Sequence, residues 1–142
     1  MVLDLSSVEK AIGQLDKMYA LALSDLAKSD PDLEQAFRMA AIQAFEFTYE
    51  LCFRMLKRFL KMSEPSPDGI DDATFQSLIR LACERDLLRS DLPRWMDYRR
   101  KRGTTSHTYD ERKALEVFSV IPDFVREARH LYETLKERTS SL

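Results

Sequence analysis

Apolar residues recur at steps of three and four along almost the whole chain, and this spacing predicts amphipathic helices. The pattern is strongest in Asp32–Met62, where apolar positions cover an arc of about 240° when residues are set at 100° steps. These positions are Phe37, Ala41, Ala44, Phe45, Thr48, Tyr49, Leu51, Cys52, Phe53, Met55, Leu56, Phe59 and Leu60. A helix with so wide an apolar surface must be covered on two sides.

The three Gly and five Pro act as breakpoints that divide the chain into about five helical segments. We therefore predict an all-α fold, an elongated antiparallel bundle of about five helices with a four-helix up-and-down core. A helix over Asp32–Met62 would be about 45 Å long, which exceeds the size of a compact domain of this length. The 142 residues suit one domain, residues 1–142.

Local signals predict where some helices begin, bend and pair. Ser6 with Glu9, and Thr108 with Glu111, have the spacing of capping boxes. Pro122 predicts a kink or a split in the last helix. A narrow polar stripe on the long helix comprises Gln43, Glu46, Glu50, Arg54, Lys57 and Lys61, and Glu50 with Arg54 has the spacing of an i, i+4 ion pair.

Charge and cysteine usage exclude some classes of protein. With 22 Lys and Arg against 24 Asp and Glu, the net charge of −2 excludes a protein that coats nucleic acid by charge alone. Cys52 and Cys83 lack metal-site spacing and are predicted to be buried free thiols of a reducing compartment. No window is apolar enough to span a membrane, so we expect a soluble cytoplasmic protein. We also expect no metal and no other cofactor, because no carboxylate cluster of metal-site type is evident.

Arg85–Arg102 holds the main concentration of charge, seven basic residues against three acidic ones, a local balance of +4. Arg99, Arg100 and Lys101 lie within it and are candidate contacts for RNA or a nucleotide, because guanidinium groups hold phosphates and stack on bases. A solvated helix face is the competing interpretation. Trp95 and Tyr98, in the same segment, are either packing residues or base-stacking ones.

The sequence RGTTSHTYDE, residues 102–111, follows directly. It offers hydroxyl groups, including those of Thr105 and Ser106, and places His107 beside a predicted helix N-terminus. The segment therefore predicts a phosphate site, unless its polar groups only cap the last helix. His130 is predicted to lie at the surface without a role.

RGTTSHTYDE, together with AAIQAFEFTYELCFRMLKRFL at residues 40–60, resembles the nucleotidyltransferase substrate-binding proteins of the HEPN superfamily. Arg102 and His107 fit the superfamily motif of an arginine, four to six residues and a histidine. Tyr109 completes the R-x4-H-x-Y form of the toxin subunits in two-gene systems, whereas Gly103 replaces a polar residue.

The resemblance implies a homodimer, a partner nucleotidyltransferase encoded nearby, a heterotetramer with that partner and, in the toxin branch, metal-independent RNA cleavage by Arg102 and His107. It also implies that the partner attaches AMP to Tyr109. Two interpretations stay open, a toxin-type ribonuclease and a non-catalytic subunit that binds nucleotide or substrate. A purely structural adaptor is a third.

Cleavage through the RNA 2′-OH needs a base and an acid, and a dimer would supply two His107 side chains. The wide apolar arc of the long helix leaves room for a two-fold interface. Glu46 and Glu50 are conjectured to orient His107 or to pair with Arg102, and a solvated stripe is the alternative.

Overall fold

The computed structural model describes residues 3–140, and helices are the only regular secondary structure there, which confirms the predicted all-α class. Seven α-helices appear in this part of the chain, against the five expected, because two single-turn helices are too short to show a periodic pattern. The helices are α1 (Ser6–Ala22), α2 (Asp25–Lys28), α3 (Pro31–Ser63), α4 (Pro67–Asp71), α5 (Phe75–Glu84), α6 (Leu92–Gly103) and α7 (Glu111–Ser140). Four residues of the predicted domain, Met1, Val2, Ser141 and Leu142, lie outside the described part.

The starts of α1 and α7 differ from the predicted capping boxes. Asp4, not Ser6, supplies the cap of α1, since its Oδ1 accepts the backbone N–H of Ser6 at 3.0 Å. Asp110 caps α7 in the same way, accepting from the amides of Arg112 at 3.0 Å and Lys113 at 3.3 Å. In both cases an aspartate close by in sequence, and not the predicted Ser or Thr hydroxyl, accepts from the first amides of the helix.

The long helix α3 occupies the centre of the fold and packs against both α1 and α7. Thr48, fully buried, donates its hydroxyl to the carbonyl of Ala11 on α1 at 3.2 Å. Phe45 meets Phe124 of α7 edge to face, with ring centroids 5.0 Å apart. The 33 residues of α3 extend about 50 Å at 1.5 Å per residue, in agreement with the length expected from the sequence.

The N-terminal part of α6, Leu92–Tyr98, enters an aromatic cluster at the α3–α7 junction. Trp95 and Tyr98 are fully buried and lie edge to face at 5.4 Å, so they are packing residues rather than base-stacking ones. The Tyr98 hydroxyl donates to the Asp123 carboxylate, which also accepts from Arg89 at 3.3 Å. Burial of Tyr98, reinforced by this hydrogen bond, raises the pKa of its hydroxyl, which therefore stays protonated.

The last helix, α7, is continuous from Glu111 to Ser140, so the split expected at Pro122 does not occur. Proline removes one helical N–H, but Ile121, Phe124 and Val125 on either side are buried in the core. Their burial holds the helix together across the missing hydrogen bond.

Both cysteines are free, as expected, although only Cys52 is fully buried. Burial raises the pKa of the Cys52 thiol to about 12, which makes it unreactive. Cys83 is half-buried, contrary to expectation, because it lies at the edge of α5 facing the Ser90 carbonyl. Among residues 3–140, no helix combines the length and the apolar character needed to cross a bilayer.

Candidate functional site

The candidate site is centred on Arg102, in the last turn of α6, where this helix passes the middle of α3. The Arg102 guanidinium donates to the Glu50 carboxylate through both Nε, at 3.1 Å, and a terminal nitrogen. The same terminal nitrogen lies 3.5 Å from Glu46, one turn earlier on α3. These contacts raise the pKa of Arg102, mainly through the hydrogen bond with Glu50. Of the two conjectured roles of Glu46 and Glu50, the structure shows the pairing with Arg102.

Glu50 does not pair with Arg54, the partner expected from the i, i+4 spacing. Its carboxylate turns toward Arg102 on the neighbouring helix. Because one guanidinium presents several N–H groups in a plane, it competes well for a carboxylate against a neighbour along the same helix. Arg54 is left exposed.

Thr105 ties the segment after α6 back to α3. It begins a short 3-10 turn, Thr105–His107, and is almost fully buried. Its Oγ1 lies 3.0 Å from Glu46 Oε2 and 2.8 Å from the Arg102 carbonyl. A buried hydroxyl in this position fixes the path of the chain between Arg102 and His107, so Thr105 anchors the segment and is not available to a ligand.

His107, Ser106 and Tyr109 lie on the outer side of this segment and are exposed. The His107 amide donates to the Thr104 carbonyl at 2.9 Å, and its ring lies edge-on to the Tyr109 ring at 6.0 Å. Tyr109 is the most exposed of the large hydrophobic side chains in the described residues, at 85%. The sequence segment thus divides into an anchored residue, Thr105, and three residues that face solvent.

The N-terminus of α7 does not provide the backbone-amide anion site that the sequence suggested. The Asp110 carboxylate already accepts from the first free amides of the helix. A carboxylate at that place repels a phosphate as well as taking its donors. The exposed side chains of the segment, those of Ser106 and His107, and the neighbouring Arg102 are the groups that remain as phosphate contacts.

The three basic residues before Arg102 form two groups, which contact different parts of the molecule. Arg100 and Lys101 both pair with Asp97, one turn earlier on α6, at 3.1 Å and 3.3 Å. Arg99 instead lies over the ring of Phe75 on α5, with 4.6 Å from its guanidinium carbon to the ring centroid. Arg99 and Arg102 therefore share one side of α6, and Arg100 belongs to another.

That side of α6 faces an open groove of about 640 Å³. Its walls come from α3, α5 and α6 and comprise Tyr49, Glu50, Phe53, Arg54, Lys57, Ala73, Phe75, Leu78, Arg99 and Arg102. Phe53 was predicted to lie on the apolar face of α3, and the sequence predicted no function for Arg54 or Lys57. The polar stripe on α3 was the available signal, because Glu46, Glu50, Arg54 and Lys57 follow one another at steps of three and four.

The sequence matches the family described as nucleotidyltransferase substrate binding protein like, over residues 3–137. The match covers nearly the whole chain, and the chain belongs to this family. The resemblance indicated by the RGTTSHTYDE segment is confirmed at that level.

A Haemophilus influenzae protein described as probable ribonuclease HepT is 42% identical over 98 residues, 69% of this chain and 66% of that protein. The chain therefore matches just under two thirds of that relative's length. A Haemophilus influenzae structure described as the fold of a substrate-binding domain of a nucleotidyltransferase has a TM-score of 0.86 and 33% identity, with 94% of this chain and 99% of that chain covered. A Thermus thermophilus structure gives a TM-score of 0.62 and 33% identity, with 93% and 98% covered.

Proposed function

We propose that this chain is a ribonuclease subunit that cleaves RNA without a metal ion and is controlled by a partner nucleotidyltransferase. The observation that carries the proposal is the arrangement of Arg102 and His107. The arginine is held by acids of α3, and the histidine, five residues later, is exposed to solvent. The relative described as a probable ribonuclease supports the same activity.

In the proposed reaction the RNA supplies its own nucleophile. His107 removes the proton from the 2′-OH, whose oxygen attacks the adjacent phosphorus, and a second imidazolium protonates the departing 5′-oxygen. Arg102 offers N–H groups to the phosphate as negative charge builds up on it. Each chain has one histidine in the motif, so the acid and the base come from two copies.

A homodimer is therefore part of the proposal, and its proposed interface is the exposed side of α3 that carries Met39 and Phe47 beside the polar stripe. Met39 and Phe47 on this side are 47% and 59% exposed, which is unusual for side chains of their size. Met39 lines a shallow groove with Glu46, Thr105 and Thr108. A second copy related by a two-fold axis along this surface would bring the two motif segments together.

We expect Met39→Glu to convert the dimer into a monomer and to abolish RNA cleavage, because it buries a charge in the interface. Leu23→Glu is the matched control, since Leu23 is 51% exposed but lies between α1 and α2. Sedimentation velocity on both variants measures the oligomeric state. A Met39→Glu protein that stays dimeric and active would remove this surface from the proposal.

The partner is proposed to act on Tyr109. The tyrosine oxygen attacks the α-phosphorus of ATP and loses its proton as pyrophosphate leaves, so one AMP group joins the ring. The 85% exposure of Tyr109 and its ring contact with His107 support this, because AMP there would cover the imidazole. Intact-mass measurement after incubation with the partner and ATP tests it, with Tyr109→Phe expected to gain no mass.

We also propose that the chain forms a heterotetramer with the partner and that it is located in the cytoplasm.

The second candidate function is a non-catalytic subunit that binds nucleotide or substrate for the nucleotidyltransferase. Two observations favour it, namely the family description and the similar structure described as a substrate-binding domain. In that case Arg102 binds a phosphate and His107 performs no proton transfer.

A cleavage assay in EDTA separates the two functions. It compares wild type, His107→Ala and His130→Ala on a mixture of tRNA and mRNA. His130 is the matched control, because it is the other histidine of the chain and is also exposed, on α7. The ribonuclease proposal expects loss of cleavage in His107→Ala alone. Equal cleavage by all three preparations points to a contaminant, and bound but uncut RNA supports the second candidate.

A further inference from the structure

The groove formed by α3, α5 and α6 combines positive charge with aromatic side chains. Arg54, Lys57, Arg99 and Arg102 contribute four cations to its lining, against the single acid Glu50. Glu50 is already bound to Arg102. Within residues 3–140, Arg54 and Lys57 have no carboxylate at ion-pair distance, so their charges are not compensated by the protein.

The aromatic part of the groove is a short stack. The rings of Phe53 and Phe75 lie 5.4 Å apart at an angle of 35°, and the Arg99 guanidinium covers Phe75 at 4.6 Å. Both phenylalanines are half-buried, so part of each ring faces the groove. Planar rings and a guanidinium in this arrangement form a surface on which a nucleic acid base can stack.

The groove continues from the motif along α3. Glu46, Glu50, Arg54 and Lys57 follow one another at steps of four, four and three on the same side of the helix. Glu46 and Lys57 are separated by about 16 Å along the helix axis. A strand that places a phosphate at Arg102 can therefore extend over Arg54 and Lys57 without leaving this side of the molecule.

We propose that this groove binds the single-stranded RNA next to the phosphate held by Arg102. One base stacks on the surface formed by Phe53, Phe75 and Arg99, and the flanking phosphates pair with Arg54 and Lys57. This inference rests on the proposed function for the identity of the ligand, but the groove residues are distinct from His107. It assigns a role to residues on α3 and α5 that the R-x4-H motif does not include.

Fluorescence anisotropy over a range of salt concentrations tests the groove. The probe is a fluorescein-labelled single-stranded RNA of about ten nucleotides, a usual site size. All variants carry His107→Ala so that the RNA stays intact. Arg54→Gln with Lys57→Gln should weaken binding at least about tenfold and reduce the slope of log K against log salt by about 1.4, the value for two phosphate contacts. Lys17→Gln with Lys28→Gln removes the same charge from α1 and α2 and should leave binding unchanged.

Phe75→Leu tests the base-stacking surface and should weaken binding by about 5- to 150-fold without changing the salt slope. Phe53→Leu provides a second variant if Phe75→Leu lowers the helical content or the thermal midpoint. Groove variants that bind RNA as tightly as the control pair overturn the inference.

Cleavage by the corresponding proteins with His107 intact separates this inference from the proposed function. If wild type does not cleave RNA but binds it through the groove residues, the ribonuclease proposal is wrong and the groove proposal stands. If wild type cleaves RNA and the groove variants bind RNA as tightly as the control, the groove proposal is wrong and the ribonuclease proposal stands.

Discussion

The two parts of α6, a first half taken as Leu92–Tyr98 and a second half taken as Arg99–Gly103, differ in what holds them. In the first half, Trp95 and Tyr98 are fully buried among rings of α3 and α7. In the second half, Arg99 and Arg102 remain at the surface and are held by a ring contact and by carboxylates. The first half therefore contributes stability and positions the helix, whereas the second presents charge that a ligand can reach.

The difference between the halves is also one of energy. Burying an aromatic side chain removes a large apolar area from water, while ion pairs between half-exposed groups contribute up to about 1 kcal/mol. The side chains of Arg102 and Glu50 are 36% and 41% exposed, so their contact is one of the half-exposed ion pairs that contribute little to stability. Substitutions should therefore separate stability from RNA binding along a single helix.

Trp95→Ala should have the largest effect on folding. Removal of this fully buried ring leaves a cavity against Tyr49, Tyr98 and Phe124, and we expect a loss of about 3–5 kcal/mol in the free energy of unfolding. Urea denaturation followed by circular dichroism measures it. A loss below about 1 kcal/mol would contradict the division between the halves.

Asp123→Asn should have an intermediate effect and should make stability less dependent on pH. Burial alone raises the pKa of Asp123, but the hydrogen bonds from Tyr98 and Arg89 outweigh it, so the pKa lies below the usual 3.8. The stabilisation by the carboxylate is then complete above 3.8 and is lost as the pH falls through the lower folded value. We expect Asp123→Asn to cost about 1–3 kcal/mol at neutral pH.

Unfolding of wild type and Asp123→Asn at neutral pH and at acid pH provides the measurement. The difference between the two proteins should shrink in acid, where the wild-type carboxylate becomes protonated. A difference that is the same at every pH would assign the effect to packing rather than to charge.

Glu50→Gln should have the smallest effect on folding, below about 1 kcal/mol, because its ion pair with Arg102 is half-exposed. RNA affinity should rise, since the change removes the one acid of the groove. Glu34→Gln is the matched control, because Glu34 forms an ion pair with Arg38 on the same helix, away from the groove. A gain in affinity that is equal in both variants would reflect net charge alone.

The sequence was sufficient to predict the helices with strong periodicity. The predicted segment Asp32–Met62 differs from α3, Pro31–Ser63, by one residue at each end, because its wide apolar surface gives a periodic pattern over the whole helix. The single-turn helices α2 and α4 were missed, since four or five residues contain little more than one turn of the pattern. Capping was wrong at α1 and α7, where neighbouring aspartates compete with Ser and Thr.

The candidate site was predictable in its residue types but not in its contacts. The motif segment was located from sequence, yet whether Glu50 pairs with Arg54 or Arg102 depends on how α6 crosses α3, which periodicity does not specify. The groove was missed for the same reason, because Phe53 and Phe75 meet only when α5 folds against α3. Periodicity shows which face of a helix is apolar, but not how much of each ring stays uncovered.

The contact between Glu50 and Arg102 has a consequence for selectivity. The carboxylate occupies the guanidinium edge that includes Nε, so a phosphate that binds this edge must displace an acid held beside it at high local concentration. A chloride or inorganic phosphate ion brings one contact to this exchange. A polynucleotide brings several phosphates joined in one molecule, and only such a multivalent ligand gains enough elsewhere on the surface to compensate for the acid it releases.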